Sequence, residues 1–324
     1  MSKREKAVWL WLGVIILFLG LLAEANAVFW QTDYSLRQNE RRHKFGAVYM
    51  TLNNPFYEII DEELRAEIET RGDVLLTRNP ELDEKRQLDE IAELLAGDIE
   101  ILFLNAVDWQ KIEPALKLAK EARVPVIAID TNVGDGADIA CTIVSDNYQA
   151  GASCAEHLKE NSPGGSVVLL CHSETKSGTD RINGFLDTLK KYPQFKVVDS
   201  AECKGQLEIA MPKMQEMLER NAAVDIVMAL NDPTAMGALA ALKNEGKIGQ
   251  VMVYGVDGTP ETRAMIAEGS MTATAAQSPR QIGRIAANKA YDILDGKPHE
   301  KVIMLKTTLI TKENAAIGLK EEWQ

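Results

Sequence analysis

The chain has 324 residues, more than one hydrophobic core usually serves, so two domains are the expected organisation. Its 46% hydrophobic and 26% charged content is ordinary for a globular protein. A net charge of -12 repels phosphate backbones, which excludes nucleic acid as a partner and disfavours an acidic substrate unless a local basic pocket overrides it.

The first element is not part of the fold. Lys3, Arg4 and Lys6 precede an uncharged apolar run over 7–23, followed by Ala25-Asn26-Ala27. This layout predicts a signal peptide over 1–27, with an uncleaved membrane anchor as the alternative, because bulky Val28, Phe29 and Trp30 follow the small-x-small site. No cysteine stands near the end of the run to carry a lipid, and the basic amino-terminal side puts everything after it outside the cytoplasm. Residues 28–44 are largely polar and read as a linker.

From residue 45 onward, strand-like runs alternate with helical patterns. Strands are predicted over 45–50, 74–77, 101–104, 124–130 and 139–144, with helices over 55–71, 84–96, 110–122 and 148–160. Ser162-Pro163-Gly164-Gly165 interrupts the chain, and a second series follows. Its strands are 166–171, 196–198, 226–230, 251–256 and 271–275, and its helices are 178–191, 208–220, 235–244 and 261–268. A helix over 280–294 and a strand over 302–310 close the pattern. Two tandem series of this kind predict an α/β protein with two doubly wound, parallel-sheet lobes.

Open α/β sheets bind ligands at the carboxyl ends of their strands. The first strand runs into Asn53-Asn54-Pro55-Phe56-Tyr57; Asn105, Asp130, Asn231 and Asp257 end later strands; Gln277 follows 271–275; Arg181 opens a helix. Any one of these polar residues is an ordinary turn or cap residue, but the set is what an uncharged polyhydroxylated ligand needs. Each sugar hydroxyl both donates and accepts, and in a closed cleft each must find a partner. Carboxylates take two hydroxyls bidentately, Arg offers a fork of donors, and aromatic faces cover the C–H side of a ring. Cys141, Cys154, Cys171 and Cys203 have no metal-like spacing and specify no disulfide, and Cys141 and Cys171 are expected as largely buried free thiols in strands. His43, His157, His172 and His299 are scattered and read as solvated or structural, and 130–141 lacks the carboxylate that would close a calcium loop. With no phosphate-cradling glycine loop either, no cofactor is expected.

Several motifs occur in the order found in the ribose-type periplasmic sugar-binding proteins of ABC transporters: TLNNPFY at 51–57, SDN at 145–147, DRINGF at 180–185, LND at 230–232, GVDGTP at 255–260 and AQSPRQIG at 276–283. The chain resembles that family from 45 to about 315. The resemblance implies the type I periplasmic-binding fold, with three hinge segments near 145–147, 277–278 and after Lys306. It implies one lobe from 45–145 with 278–306 and another from 146–277 with 307–318. It makes Asn54, Phe56, Tyr57, Asn105, Asp130, Arg181, Asn231, Asp257 and Gln277 the sugar ligands. Three positions depart from the ribose pattern: Thr131 replaces a second Arg, Met50 a small hydroxyl residue, and Cys203 an aromatic. The expected function is binding of a monosaccharide by a monomer that serves an ABC-type membrane permease. The alternative is an anchored sugar-sensing module for a chemoreceptor or histidine kinase. An enzyme is not expected, since Asp130 and Asp257 show nothing that separates an acid from a base.

Overall fold

The computed structural model describes residues 42–134, 138–221, 223–316 and 323, together with Arg4, Trp9, 18–20, 22–24 and Asn26. The signal or anchor expected over 1–27 and the linker over 28–44 lie almost wholly outside the described residues. Among the described residues, no helix is long and apolar enough to cross a membrane.

The folded part is built on two six-stranded sheets. The first takes β1 (Lys44–Val48), β2 (Val74–Arg78), β3 (Ile101–Leu104), β4 (Val126–Ile129) and β5 (Cys141–Ser145), linked by α1 (Pro55–Glu69), α2 (Glu84–Ala96) and α3 (Glu113–Glu121). The chain then enters α4 (Asn147–Asn161) and the second sheet: β6 (Gly165–Cys171), β7 (Phe195–Glu202), β8 (Ile226–Ala229), β9 (Met252–Asp257) and β10 (Ala273–Ala276). Helices α5 (Lys176–Leu189), α6 (Leu207–Arg220), α7 (Asp232–Asn244) and α8 (Pro260–Glu268) join these strands, and α9 (Pro279–Leu294), β11 (Val302–Leu305) and β12 (Thr308–Ile310) finish the fold. The strand orders are β11-β5-β4-β3-β1-β2 and β12-β10-β9-β8-β6-β7. All pairings are parallel except β12 with β10.

Local sequence explains these elements. β3 and β4 are ILFL and VIAI with every residue buried, as strands covered on both faces require. Helix α1 starts where Asn54 Oδ1 accepts a hydrogen bond from the Phe56 N–H and Pro55 fills the first turn. Its buried stripe (Phe56, Ile60, Leu64 and Ile68) packs on the first sheet and on α9. The α1–α9 contact needs Gly283, because a Cβ there would stand 2.8 Å from the Ile60 carbonyl oxygen. Helices α4 and α5 approach still closer, since a Cβ on Gly151 would fall 1.7 Å from the Arg181 carbonyl oxygen. That contact fixes the segment that carries Arg181.

The run over 302–310, expected as one strand, is two strands in different sheets. Leu305 pairs with Ser145, whereas Thr308 pairs with Ala276, so the chain crosses between sheets at Lys306-Thr307. An alternating run without glycine or proline carries no turn signal, which is why the break is silent in the sequence. The other crossings fall at Asp146 and at Gln277-Ser278. The expected strand over 196–198 is longer, Phe195–Glu202, and forms the polar edge of the second sheet. All four cysteines are free thiols; Cys141 is buried in β5, while Cys171 is only half-buried.

Candidate functional site

Two carboxylates at equivalent strand ends define the site. Asp130 follows β4 and Asp257 ends β9, and both have positive φ, 64° and 138°. Non-glycine residues held there cost on the order of 1–3 kcal/mol each, a cost characteristic of ligand sites. In the first lobe, Asp130 Oδ2 accepts from the Tyr57 hydroxyl at 3.1 Å and from Asn105 Nδ2 at 3.3 Å. Asn105 Oδ1 in turn accepts from the Met50 N–H at 3.1 Å, and its Nδ2 also reaches the Ile129 carbonyl at 3.3 Å. Asn105 is therefore a buried prop behind Asp130 rather than part of the cavity wall.

In the second lobe, Asp257 Oδ1 accepts from Gln277 Nε2 at 2.7 Å. Arg181 projects from α5, where its Nε donates to Asn147 Oδ1 at 2.7 Å and its Nη1 to the Leu230 carbonyl at 3.1 Å. Its guanidinium then lies 3.7 Å from Asp257 and 3.8 Å from Asp130, between carboxylates of both lobes. Among the described residues, Asp130 Oδ1, Asp257 Oδ2 and Gln277 Oε1 are buried and find no hydrogen-bond partner. Burial pushes both carboxyl pKa values up, Asp257 well above its ordinary value, and Arg181 opposes the shift in each. Three buried acceptors without hydrogen bonds need donors, and hydroxyl groups are suitable ones.

Of the residues expected from sequence, Asn54, Phe56, Tyr57, Asp130, Arg181, Asn231, Asp257 and Gln277 converge on one cavity between the sheets. Its volume is about 20 Å³ in this closed arrangement. A water needs about 10–15 Å³, so the cavity as it stands has room for about one water. Asn231 reaches the wall as a structural residue: its Oδ1 caps α7 through the Thr234 N–H, and its Nδ2 donates to the Gly205 carbonyl. Phe56 packs edge-to-face on Tyr57 and lies 5.7 Å from the Trp323 ring, whose Nε1 donates to the Asp257 carbonyl at 3.2 Å.

The sequence reading missed His172, Thr175, Ser177, Lys204 and Gln206, which also line the cavity. His172 had the available signal, because it directly follows β6 as the aspartates follow or end their strands. Lys204 and Gln206 carried none, since they belong to a loop beyond β7 whose course depends on tertiary packing. Cys203, at the position where an aromatic was expected, is buried in the core of the second lobe and does not face the cavity. Lobe contacts surround the site. Asn53 Nδ2 donates to Gln206 Oε1 at 2.8 Å, the Ser177 N–H to Thr131 Oγ1 at 3.2 Å, and the Trp109 N–H to the Glu174 carbonyl at 3.0 Å. Thr131 is thus a cross-lobe contact. Among the described residues, no group of three or more His, Cys, Asp or Glu could hold a metal ion.

Residues 45–298 match the family profile described as periplasmic binding protein domain. The chain is 29% identical over 268 residues to the ribose import binding protein of Escherichia coli (strain K12), spanning 82% of this chain and 90% of that protein. It is 30% identical over 273 residues to the D-allose-binding periplasmic protein of the same organism, spanning 81% and 87%. Among solved structures, the Caulobacter myo-inositol binding protein bound to myo-inositol superimposes with a TM-score of 0.81 at 26% identity, over 87% of this chain and 98% of that one. An ABC transporter solute binding protein from Mycobacterium smegmatis with bound glycerol gives 0.82 at 26% identity, over 87% and 98%.

Proposed function

The chain belongs to the periplasmic binding proteins, in their ribose-type sugar-binding branch, and from that premise we propose that it captures one monosaccharide (a ribose-like pentose, a hexose or a related polyol) outside the cytoplasm and hands it to an ABC-type permease. The observation that carries the reading is the Arg181 guanidinium held between Asp130 and Asp257, with one oxygen of each carboxylate and Gln277 Oε1 left for hydroxyl donors. Relatives that bind ribose, allose and, by name, myo-inositol fit that donor and acceptor set. They are binding proteins, which supports a role without catalysis.

In this reading one lobe comprises 45–145 with 278–306 and the other 146–277 with 307–318, turning about the three crossings. Residues 1–27 export the chain and are cleaved or retained as an anchor, 28–44 are a tether, and the protein works as a monomer. A thermal-shift screen of the full chain against pentoses, hexoses, deoxysugars and cyclitols tests the ligand class. A true ligand at a hundred times its Kd adds about 2.7 kcal/mol to stability. Silence across the whole panel refutes the proposal.

Closure gives the next expected result. First-lobe Asp130 and second-lobe Asp257 touch one ligand only when the lobes meet, so small-angle scattering should show a smaller radius of gyration with saturating sugar. An unchanged radius counts against the moving lobes.

A further inference from the structure

We infer that His172 is a direct hydrogen-bonding contact to the bound sugar and selects for a hydroxyl group at the β6 end of the cavity; this rests on the sugar-binding reading above. His172 is 3% exposed, lines the same cavity as Asp130, Arg181 and Asp257, and its Nε2 is a buried polar atom that finds no hydrogen-bond partner among the described residues. Glu174 Oε2 stands 3.5 Å from that nitrogen, a charge contact that does not meet hydrogen-bond geometry.

The backbone around the ring is fixed. The His172 carbonyl accepts from the Thr175 N–H at 3.3 Å and from Thr175 Oγ1 at 3.1 Å, and Thr175 itself caps α5. The imidazole therefore stands on the same rigid turn that starts the Arg181 helix. The charged groups facing it are Glu174 beside it, Glu202 at the end of β7, and Lys204, which pairs with Glu174 at 3.4 Å. Burial lowers the His172 pKa, so the ring is neutral at pH 7. A neutral imidazole nitrogen pairs with a hydroxyl as donor or acceptor according to tautomer. A polar group left unpaired in a dry site discriminates strongly against a ligand that lacks the matching hydroxyl. That is how His172 acts on specificity.

The test measures Kd by calorimetry for the full chain, His172→Ala and His172→Gln with D-ribose, D-allose, L-arabinose, myo-inositol and the monodeoxy analogues of the tightest binder. His172→Ala is expected to weaken that binder about tenfold, one hydrogen bond's worth, while His172→Gln, which keeps a donor and an acceptor, recovers most of the loss. One monodeoxy analogue should bind the parent and His172→Ala equally, a coupling that a merely structural histidine does not produce. In the parent, the His172 Cε1–H resonance should shift on saturation, a readout that needs no substitution. A parent that binds a sugar without moving that resonance, or with the same Kd in His172→Ala, overturns this inference alone. A parent that binds none of the panel overturns the sugar-binding reading as well.

Discussion

Asp257→Ala should abolish sugar binding while leaving the sugar-free protein folded. The free Oδ2 has two acceptor sites, and hydrogen bonds to a charged group contribute about 1.5–3 kcal/mol each. Losing two removes about 3–6 kcal/mol, a fall in affinity of two to four orders of magnitude. Asp130→Ala should behave alike. Asp257→Gly adds a second readout. It releases about 1–3 kcal/mol of backbone strain at a φ of 138°, against about 0.4–1 kcal/mol from added freedom of the unfolded chain. The sugar-free fold of Asp257→Gly should therefore melt higher than that of Asp257→Ala, which loses the same Gln277 contact without the relief of strain.

The pH dependence follows from the same carboxylate. Burial raises the folded-state pKa of Asp257 above its unfolded value, so its stabilising contribution is present below the unfolded pKa and is lost as pH rises through the folded one. Sugar-free stability should therefore decline over that window in the parent and decline less in Asp257→Asn. Affinity runs the other way: hydroxyl donors favour the ionised carboxylate, so binding should strengthen as pH rises. Calorimetry showing parental affinity in Asp257→Ala would place the sugar elsewhere.

The largest effect on stability is expected at Asp232. Its Oδ2 accepts from the Gly258 N–H at 2.8 Å, the Thr259 N–H at 2.9 Å and Thr262 Oγ1 at 2.6 Å, and its Oδ1 from Thr274 Oγ1 at 2.6 Å. The side chain is fully buried, and it ties the start of α7 to the loop after Asp257 and to β10. Burial raises its pKa while these donors pull it down. Asp232→Ala leaves the Thr259 N–H and the Thr274 hydroxyl without an acceptor, at about 1–3 kcal/mol each, whereas the Gly258 N–H keeps Thr274 Oγ1 and the Thr262 hydroxyl keeps the Thr259 carbonyl. The loss, roughly 2–6 kcal/mol, corresponds to a fall in Tm on the order of 5–10 °C. Affinity should drop as well, because Asp257 stands at the end of the loop that Asp232 holds. Asp232→Asn keeps one acceptor oxygen and should fall between. A Tm for Asp232→Ala within a degree or two of the parent would show that the network is dispensable.

The alternation of strand and helix was readable because apolar runs such as ILFL at 101–104 and the Asn54-Pro55 start of α1 carry their own period and caps. So were the strand-end carboxylates. Their division of labour was not. Asn105 and Asn231, expected as ligands, also hold the frame: Asn105 bonds Asp130 and the Met50 N–H, and Asn231, which lines the cavity, bonds α7 and the Gly205 carbonyl. Which way an amide is used depends on orphaned backbone groups nearby, and those exist only once the strands are paired. His172 was discounted for a related reason. A single histidine has no spacing partner, and its value comes from an unmet nitrogen on a residue that lines a cavity enclosed by segments distant in sequence.

The late crossing at Lys306-Thr307 bears on how the chain acquires its structure. β5 waits for β11, whose Val302 pairs with Thr142, and β10 waits for β12, whose Ile310 pairs with Thr274. Both sheets thus receive an edge strand from 302–310, at the far end of the fold in sequence. During synthesis neither sheet is complete until that stretch has emerged, and the open flank of β5 stays unpaired throughout the making of the second lobe. Contacts this distant in sequence slow folding and leave strand edges exposed to other chains. A polypeptide arranged in this way keeps both sheets unfinished, and so threadable, until 302–310 has emerged.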